Sequence, residues 1–173
     1  MFPDRTNPRL ACDAMCGGLA RWLRALGIDA SYTLDIDDAD LVRHALAECR
    51  TVVSSDMRLF HRRLFTAGQL HGLLLPVGLR LAEQIRFAVE QLHLHVTDPR
   101  CTLCNGQLVR VAREEVGDVV PALSLLHGRN FHRCTTCRHV FWEGSHWKKI
   151  TLVRESLLPP TPPGIPSREQ KIG

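Results

Sequence analysis

Two pairs of cysteines form the most specific pattern in the sequence. Each pair has two residues between its cysteines, and C-T-L-C-N-G at 101–106 is answered by C-T-T-C-R-H at 134–139. Two intervening residues let both sulfurs of a pair face one ion, and two such pairs complete a tetrahedral Zn²⁺ site. The sequence therefore predicts a zinc ion with four thiolate ligands: Cys101, Cys104, Cys134 and Cys137.

Four thiolates leave no coordination position for water, so we expect this zinc to be structural rather than catalytic. The 29 residues between the pairs exceed the usual spacing, which is tolerable because the cost of loop closure grows only logarithmically. A redox-active cysteine pair is the competing interpretation, and the presence of two pairs favours metal binding. A histidine in place of one cysteine is a further alternative, from His132, His139 or His146.

Three aspartates form a second group that could do chemistry. Asp13 and Asp56 each follow a predicted strand, and Asp38 lies at the start of a predicted helix. The carboxyl ends of parallel strands share one edge of a sheet, so these side chains could converge there. Gathered carboxylates repel one another unless a cation lies between them, and Mg²⁺ or Mn²⁺ prefers such ligands. The chemistry would be phosphodiester hydrolysis by metal-activated water.

Helix capping is the alternative explanation of the same aspartates. Asp37, Asp38 and Asp56 stand where a side chain caps a helix N-terminus, and Asp13 can start a helix for structural reasons. Nearby basic side chains either neutralise phosphates or belong to solvated helix faces. These substrate-binding candidates are Arg21 and Arg24, on the polar side of the first predicted helix, and Arg58.

The elements that must position these residues follow an α/β pattern with a mostly parallel sheet. Short apolar runs alternate with helical periodicity from residue 10 onward. In the first helix Leu19, Trp22, Leu23 and Leu26 have the spacing of a buried stripe. Strands are predicted at 10–12, 30–32, 51–53 and 72–77, and helices at 13–27, 35–49 and 81–92. Residues 54–68 are predicted to form a turn that leads into a further helix ending near Gly68.

The pattern changes at 93–100, where helical periodicity stops before the first cysteine pair. We therefore predict an α/β domain at 9–95 and a small C-terminal zinc ribbon at 100–150, with ribbon strands at 107–111 and 139–142. Residues 156–173 are rich in proline and are expected to form a disordered tail.

Composition and charge limit the classes of function. The sequence is 45% hydrophobic, and it lacks an apolar run long enough to span a bilayer and an apolar signal segment at its start. We expect a cytoplasmic protein, whose reduced thiols suit metal binding. The net charge of +4 divides into −1 for residues 1–99 and +5 for residues 100–173, so a basic partner surface is expected in the C-terminal part.

The order of several short segments resembles the Mut-seven C-terminal RNase family, in which a PIN-like domain is joined to a zinc ribbon. The segments are DAMCGGLARWLRALGIDA, DIDDADL, SSDMRLF, RCTLCNGQL and FWEGSHW. The resemblance runs from about Leu10 to Trp147, nearly the whole chain. It implies a PIN-type α/β fold and metal-dependent ribonuclease activity, with RNA, expected to be single-stranded, as partner.

Carried over residue by residue, the resemblance places the acidic site on Asp13, Asp38 and Asp56. Ser54 falls at the hydroxyl position two residues before the last aspartate. Arg21 and Arg24 match the motif's ARWLR stretch. A fourth acidic group is often used in PIN folds, and the candidates are Asp35, Asp37 and Asp40.

Two departures from the family motif remove positive charge near the expected site. Ser55 and Gly18 stand where the family usually has a basic residue. Slow catalysis, or an adaptor that binds RNA without cutting it, is therefore the first alternative. A ribbon that docks a protein partner is the second.

Aromatic and basic residues follow the second cysteine pair. The segment G-S-H-W with Lys148 and Lys149 suits base stacking and phosphate contact. The alternative is that Trp142 and Trp147 pack the small core of the ribbon.

Overall fold

The computed structural model describes residues 7–157, so the predicted tail lies outside the described residues from 158 onward. The strands are β1 (Leu10–Cys12), β2 (Ala30–Tyr32), β3 (Thr51–Ser54), β4 (Gly72–Leu74), β5 (Leu108–Arg110), β6 (Arg129–Cys134) and β7 (Val140–Glu143). The helices are α1 (Gly17–Ala25), α2 (Asp38–Ala47), α3 (Met57–Phe60), α4 (Arg63–Thr66), α5 (Leu81–Gln91), α6 (Ala122–His127) and α7 (Ser145–Leu157). Between residues 7 and 157 none of the helices has the length and hydropathy to cross a membrane.

The first four strands form one parallel sheet in the order β2-β1-β3-β4, which confirms the predicted α/β fold. Successive residues of a strand face opposite sides. Leu10 and Cys12 of β1 therefore contribute to the core beneath α1 and α5, while Ala11 belongs to the core beneath α2. All three residues of β1 are buried, as expected of a central parallel strand covered on both faces.

The predicted turn and helix at 54–68 form two short helices, α3 and α4, separated at Arg62. Arg62 has an extended backbone, with φ −63° and ψ 144°. Residues five apart lie about 140° from one another around an unbroken helix. The break instead lets Phe60 and Phe65 meet edge to face, with ring centroids 5.0 Å apart.

The C-terminal part contains a second, antiparallel sheet in the order β5-β6-β7. Strands β5 and β7 overlap the two predicted ribbon strands, whereas β6 was not predicted because R-N-F-H-R-C lacks a clear apolar alternation. A small core lies beside this sheet and consists of Val116, Val120, Phe131 and Val140. A core of this size leaves a large share of the stability to a bound metal.

The first cysteine loop lies against the N-terminal end of β2, and Arg24 joins the two. The Arg24 side chain is 4% exposed; its Nε donates to Ala30 O at 2.7 Å, and its Nη1 donates to Thr102 O at 3.1 Å and Leu103 O at 3.0 Å. The sequence predicted that Arg24 contacts substrate from a polar helix face. This prediction is corrected, because the guanidinium is buried and holds the loop.

Asp29 forms a second link at the same place. Its carboxylate accepts from Arg50 Nη1 at 2.6 Å and from Asn105 Nδ2 at 2.8 Å, and Arg100 lies 3.6 Å away. Burial disfavours its ionisation, but the hydrogen bonds from Arg50 and Asn105 and the nearby guanidinium charges hold the pKa of Asp29 below its usual value. The cysteine loop is therefore fixed to the parallel sheet by charge-assisted hydrogen bonds.

Helix α7 also returns to the first domain. Val153 and Leu157 pack against the core beneath α1 and α5, and Arg154 Nη1 donates to Thr97 O at 2.7 Å. The helix continues past residue 150, where the sequence placed the end of the ribbon, and through residue 156, where the tail was expected to begin. Its last turns thus serve both parts of the chain.

Replacing Arg24 by Met should destabilise the protein strongly. The variant keeps an unbranched apolar stem but leaves three backbone carbonyls without their donor. We expect the free energy of unfolding, measured by urea denaturation of the zinc-loaded protein, to fall by about 2–4 kcal/mol. The matched control is Arg21→Met on the exposed side of the same helix, expected within about 0.5 kcal/mol of the parent. Equal losses of unfolding free energy in the two variants would contradict the role of Arg24 in holding the first cysteine loop against β2.

Candidate functional site

The four cysteines converge as the spacing predicted. Their sulfurs all lie within 4.8 Å of one another, and within residues 7–157 no other set of three or more His, Cys, Asp or Glu side chains does so. The Sγ atoms of Cys101 and Cys137 are 3.6 Å apart, and those of Cys104 and Cys134 are 3.4 Å apart. A tetrahedral Zn²⁺ with Zn–S bonds of about 2.3 Å requires sulfurs about 3.8 Å apart. The arrangement therefore fits a four-thiolate zinc site.

Backbone groups around the sulfurs also favour thiolates. The amides of Thr136 and Cys137 donate to Cys134 Sγ at 3.4 Å and 3.5 Å. Burial opposes ionisation, yet these amides lower the pKa of the Cys134 thiol to about 7, whereas burial raises that of Cys101 to about 12. A Cβ on Gly106 would come within 2.8 Å of Cys134 Sγ, so the close approach of this loop requires glycine.

The acidic edge, which we define as Asp13, Ser54 and Asp56, lies where β1 and β3 end. Ser54 Oγ donates to Asp13 Oδ2 at 2.5 Å and accepts from the backbone amide of Asp56 at 2.9 Å. Asp13 is 5% exposed and its other oxygen accepts from the amide of Ala14 at 2.6 Å. Asp56 Oδ1 accepts from the amide of Arg58 at 2.8 Å and so caps α3. One buried hydroxyl thus joins the carboxylate of Asp13 to the backbone of Asp56, whose own carboxylate caps α3.

Asp38, the first residue of α2, is held by Arg62. Arg62 Nη2 donates to Asp38 Oδ2 at 2.8 Å, across 24 residues of sequence. The oxygens of Asp13, Asp38 and Asp56 do not all lie within 4.8 Å of one another, in contrast to the sulfurs. A cation bound by all three would require Asp38 to move, or a water or second ion between the carboxylates.

The predicted substrate-binding residues have different environments. Ser54 is fully buried, so its place is beneath Asp13 and Asp56 rather than at the surface. Arg21 is exposed on α1. Arg58 has a 92% exposed side chain with its Nε 3.5 Å from Asp56 Oδ1, which leaves most of the guanidinium open to solvent.

Two candidates for a fourth acidic group have structural partners. Asp37 accepts from the amide of Asp40 at 2.8 Å and caps α2. Asp40 pairs with Arg43 within the same helix. Asp35 has a left-handed backbone with φ 55° in the loop before α2. Capping therefore accounts for Asp37, and an ion pair within α2 accounts for Asp40.

The aromatic residues after the second cysteine pair contribute to packing. Trp142 packs against the small core of the antiparallel sheet. The Trp147 ring stacks on His132, with centroids 5.9 Å apart and planes 2° apart. Lys148 remains exposed beside them.

Sequence reasoning missed Arg62 as the partner of Asp38. The segment from 58 to 63 holds three arginines and one histidine, and its basic character was the available signal. Which of these side chains reaches α2 depends on the break between α3 and α4, which periodicity did not reveal.

Comparisons with known proteins cover both candidate sites. A family model described as the Mut7-C RNAse domain matches residues 8–153, a range that includes the acidic edge and all four cysteines. Among curated proteins the chain is similar to the "Exonuclease mut-7 homolog" of Homo sapiens, with 27% identity over 111 residues. That alignment covers 61% of this chain and 13% of the human protein, so the chain spans a small part of that relative's length.

Replacing Cys104 by Ser should remove the zinc. We expect the protein purified under reducing conditions to contain about one equivalent of zinc, and the variant to contain almost none, because three thiolates no longer complete the site. Atomic emission spectrometry measures this directly. The control is Cys49→Ser, which removes an exposed cysteine outside the cluster. Zinc retained by the first variant, or lost from the second, contradicts the ligand assignment.

Replacing Ser54 by Ala should cost stability at the acidic edge. The change leaves the buried Asp13 Oδ2 and the amide of Asp56 without the hydroxyl that joins them. We expect the free energy of unfolding to fall by about 1–3 kcal/mol. Ser55→Ala is the matched control, since Ser55 Oγ contacts only Met15 Sδ among the hydrogen-bonding contacts described. A larger loss in the control than in Ser54→Ala would refute the bridging role.

Proposed function

Because the chain belongs to the Mut7-C RNAse domain family, we propose that it is a metal-dependent ribonuclease that hydrolyses phosphodiester bonds of single-stranded RNA. Family membership indicates a nuclease; the metal dependence and the form of the RNA are our proposal. We further propose that it acts in the cytoplasm, where thiols that form no disulfide stay reduced.

The observation that carries this proposal is the acidic edge. Asp13 and Asp56 follow two adjacent parallel strands and share Ser54, at the kind of sheet edge where α/β proteins bind ligands. Their carboxylates, with Asp38 from α2, supply the hard oxygen ligands that Mg²⁺ or Mn²⁺ prefers. Such an ion, when bound, would activate water and stabilise charge on the phosphate.

The residues around the carboxylates have separate tasks in this proposal. Ser54 fixes the orientation of Asp13 by donating to Oδ2, and it fixes the turn into α3 by accepting from the amide of Asp56. Arg58, almost fully exposed beside Asp56, meets a phosphate of the RNA backbone. The basic C-terminal part, with Lys148 and Trp147, holds the strand farther from the cleaved bond.

A second candidate function is an RNA-binding adaptor without turnover. Ser55 stands where the family usually has a basic residue, and its hydroxyl lies 2.7 Å from Met15 Sδ, so no positive charge is supplied from this position. Asp38 is paired with Arg62 rather than grouped with the other carboxylates. Both features favour binding over catalysis.

Cleavage of labelled single-stranded RNA in the presence of Mn²⁺ distinguishes the two candidates. We expect the parent protein to cleave, and Asp56→Asn to lower the rate by about a hundredfold or more, since groups that merely orient metal ligands already contribute about 10–100-fold. Asp118→Asn changes an exposed carboxylate of the C-terminal part and should leave the rate unchanged.

The result separates the alternatives in three ways. Cleavage that Asp56→Asn abolishes and Asp118→Asn preserves supports the ribonuclease. Binding by the parent without cleavage supports the adaptor. If the parent binds no RNA even at low salt, where phosphate contacts are strongest, both proposals fail and docking of a protein partner gains support.

A further inference from the structure

We propose that Arg62, beside Asp38, and Arg58, beside Asp56, form a phosphate-binding subsite, and that Asp38 holds Arg62 in place until RNA binds. This inference rests on the proposed function, since it names residues that receive the RNA backbone at the same site. Arg62 is the new assignment, because the substrate-binding residues predicted from the sequence include Arg58 but not Arg62.

The guanidinium groups of Arg58 and Arg62 each lie beside a proposed catalytic carboxylate. Arg58 lies 3.5 Å from Asp56, and Arg62 lies 2.8 Å from Asp38. Both arginines belong to the segment that follows β3, so one short stretch of chain places two cations against two of the three proposed catalytic carboxylates. The third, Asp13, is satisfied by Ser54 and has no such cation among the ion pairs described.

The ion pair between Arg62 and Asp38 is accessible to solvent. The side chain of Arg62 is 42% exposed and that of Asp38 is 41% exposed. Ion pairs with this much exposure are weak because solvent screens them. A guanidinium held in this way can exchange a carboxylate for a phosphate, which it binds through two parallel hydrogen bonds.

The backbone conformation between α3 and α4 determines the position of Arg62. The chain is extended at this residue because α3 ends before it and α4 begins after it, and the contact between Phe60 and Phe65 maintains the break. A continuous helix would carry the side chain around by about 100° per residue. The interruption between α3 and α4 therefore places the Arg62 guanidinium at the N-terminus of α2.

Because Arg62 and Asp38 can each exchange the other for a ligand, the binding of metal is coupled to the binding of RNA. A divalent cation competes with Arg62 for the Asp38 carboxylate, and an RNA phosphate competes with Asp38 for Arg62. Each ligand thus releases the group that the other requires, so binding of metal and RNA should reinforce one another. No bond is formed or broken in this step.

A neighbouring ion pair provides a matched comparison. Arg43 pairs with Asp40 within α2, three residues apart, and the Arg43 side chain is even more exposed. This pair stays on one helix face, whereas the Arg62 pair joins the residue before α4 to the first residue of α2. Replacing Arg43 therefore controls for the loss of one surface charge and one exposed ion pair.

The test measures RNA affinity by fluorescence anisotropy with labelled single-stranded RNA. The zinc-loaded full chain carries Asp56→Asn to prevent cleavage, Mn²⁺ is present, and salt is varied. We expect Arg62→Ala to weaken binding about tenfold. It should also reduce the slope of log affinity against log salt by about 0.7, the value for one phosphate contact with a single strand. Arg62→Lys should keep the slope and lose part of the affinity, because it keeps the charge without the planar fork.

Arg43→Ala should leave the RNA affinity and its salt slope near those of the parent. Thermal unfolding of each variant, followed by circular dichroism, shows whether the fold is retained. In a second measurement without RNA, on chains that retain Asp56, calorimetric titration with Mn²⁺ should show binding to Arg62→Ala at least as tight as to the parent, because a competing cation has been removed.

Three outcomes overturn the subsite: an unchanged salt slope for Arg62→Ala, an equal loss for Arg43→Ala, or weaker Mn²⁺ binding by Arg62→Ala. The proposed function fails separately. If the parent binds RNA without cleaving it while Arg62→Ala lowers the slope, the subsite stands and the ribonuclease does not. If the parent cleaves RNA and the slope is unchanged, the ribonuclease stands and the subsite does not.

Discussion

The register between β1 and β3 is the constraint on which the acidic edge depends. Cys12 lies opposite Val53, so the next residues along the two strands, Asp13 and Ser54, come together, and the amide of Asp13 donates to Val53 O at 3.0 Å. Successive side chains of a strand face opposite sides of the sheet, so a slip of one residue would turn the hydroxyl of Ser54 away from the carboxylate. Packing opposes that slip, because Leu10, Cys12 and Val53 fit the core beneath α1 and α5, whereas Ala11 and Val52 fit the core beneath α2. The same packing that stabilises the fold therefore determines which groups meet at its edge.

The four-cysteine cluster is connected to this edge only indirectly, through the sheet. Asn105 of the first cysteine loop contacts the amide of Ala30 at 3.2 Å, at the first residue of β2, whereas Asp13 follows the last residue of β1. The loop and the acidic edge thus lie at opposite ends of strands that span about 10 Å. Hydrogen bonds of Arg24 and Asp29 join the cysteine loop to the start of the sheet. This agrees with the structural role that four thiolate ligands imply.

The features predicted correctly from the sequence depend on local spacing, whereas the features that were missed depend on contacts between residues far apart in the chain. Two residues between cysteines were enough to predict the sulfur cluster, and alternating apolar runs predicted the parallel sheet. Arg24 was assigned to substrate because periodicity shows which side of a helix is polar but not what that side meets; its partner Thr102 is 78 residues away. Arg62 escaped notice for the same reason, since its pairing with Asp38 requires the break between α3 and α4. The roles of Asp13, Asp38 and Asp56 in catalysis stay predictions.

Binding of a divalent cation by the carboxylates at the ends of β1 and β3 is tested most directly by anomalous X-ray scattering from crystals of the zinc-loaded protein grown with Mn²⁺. We expect a zinc peak within the four cysteines and a separate manganese peak within about 2.5 Å of carboxylate oxygens of Asp13 or Asp56. A fully occupied zinc peak with no manganese at these aspartates, at concentrations that saturate other oxygen sites, would contradict it.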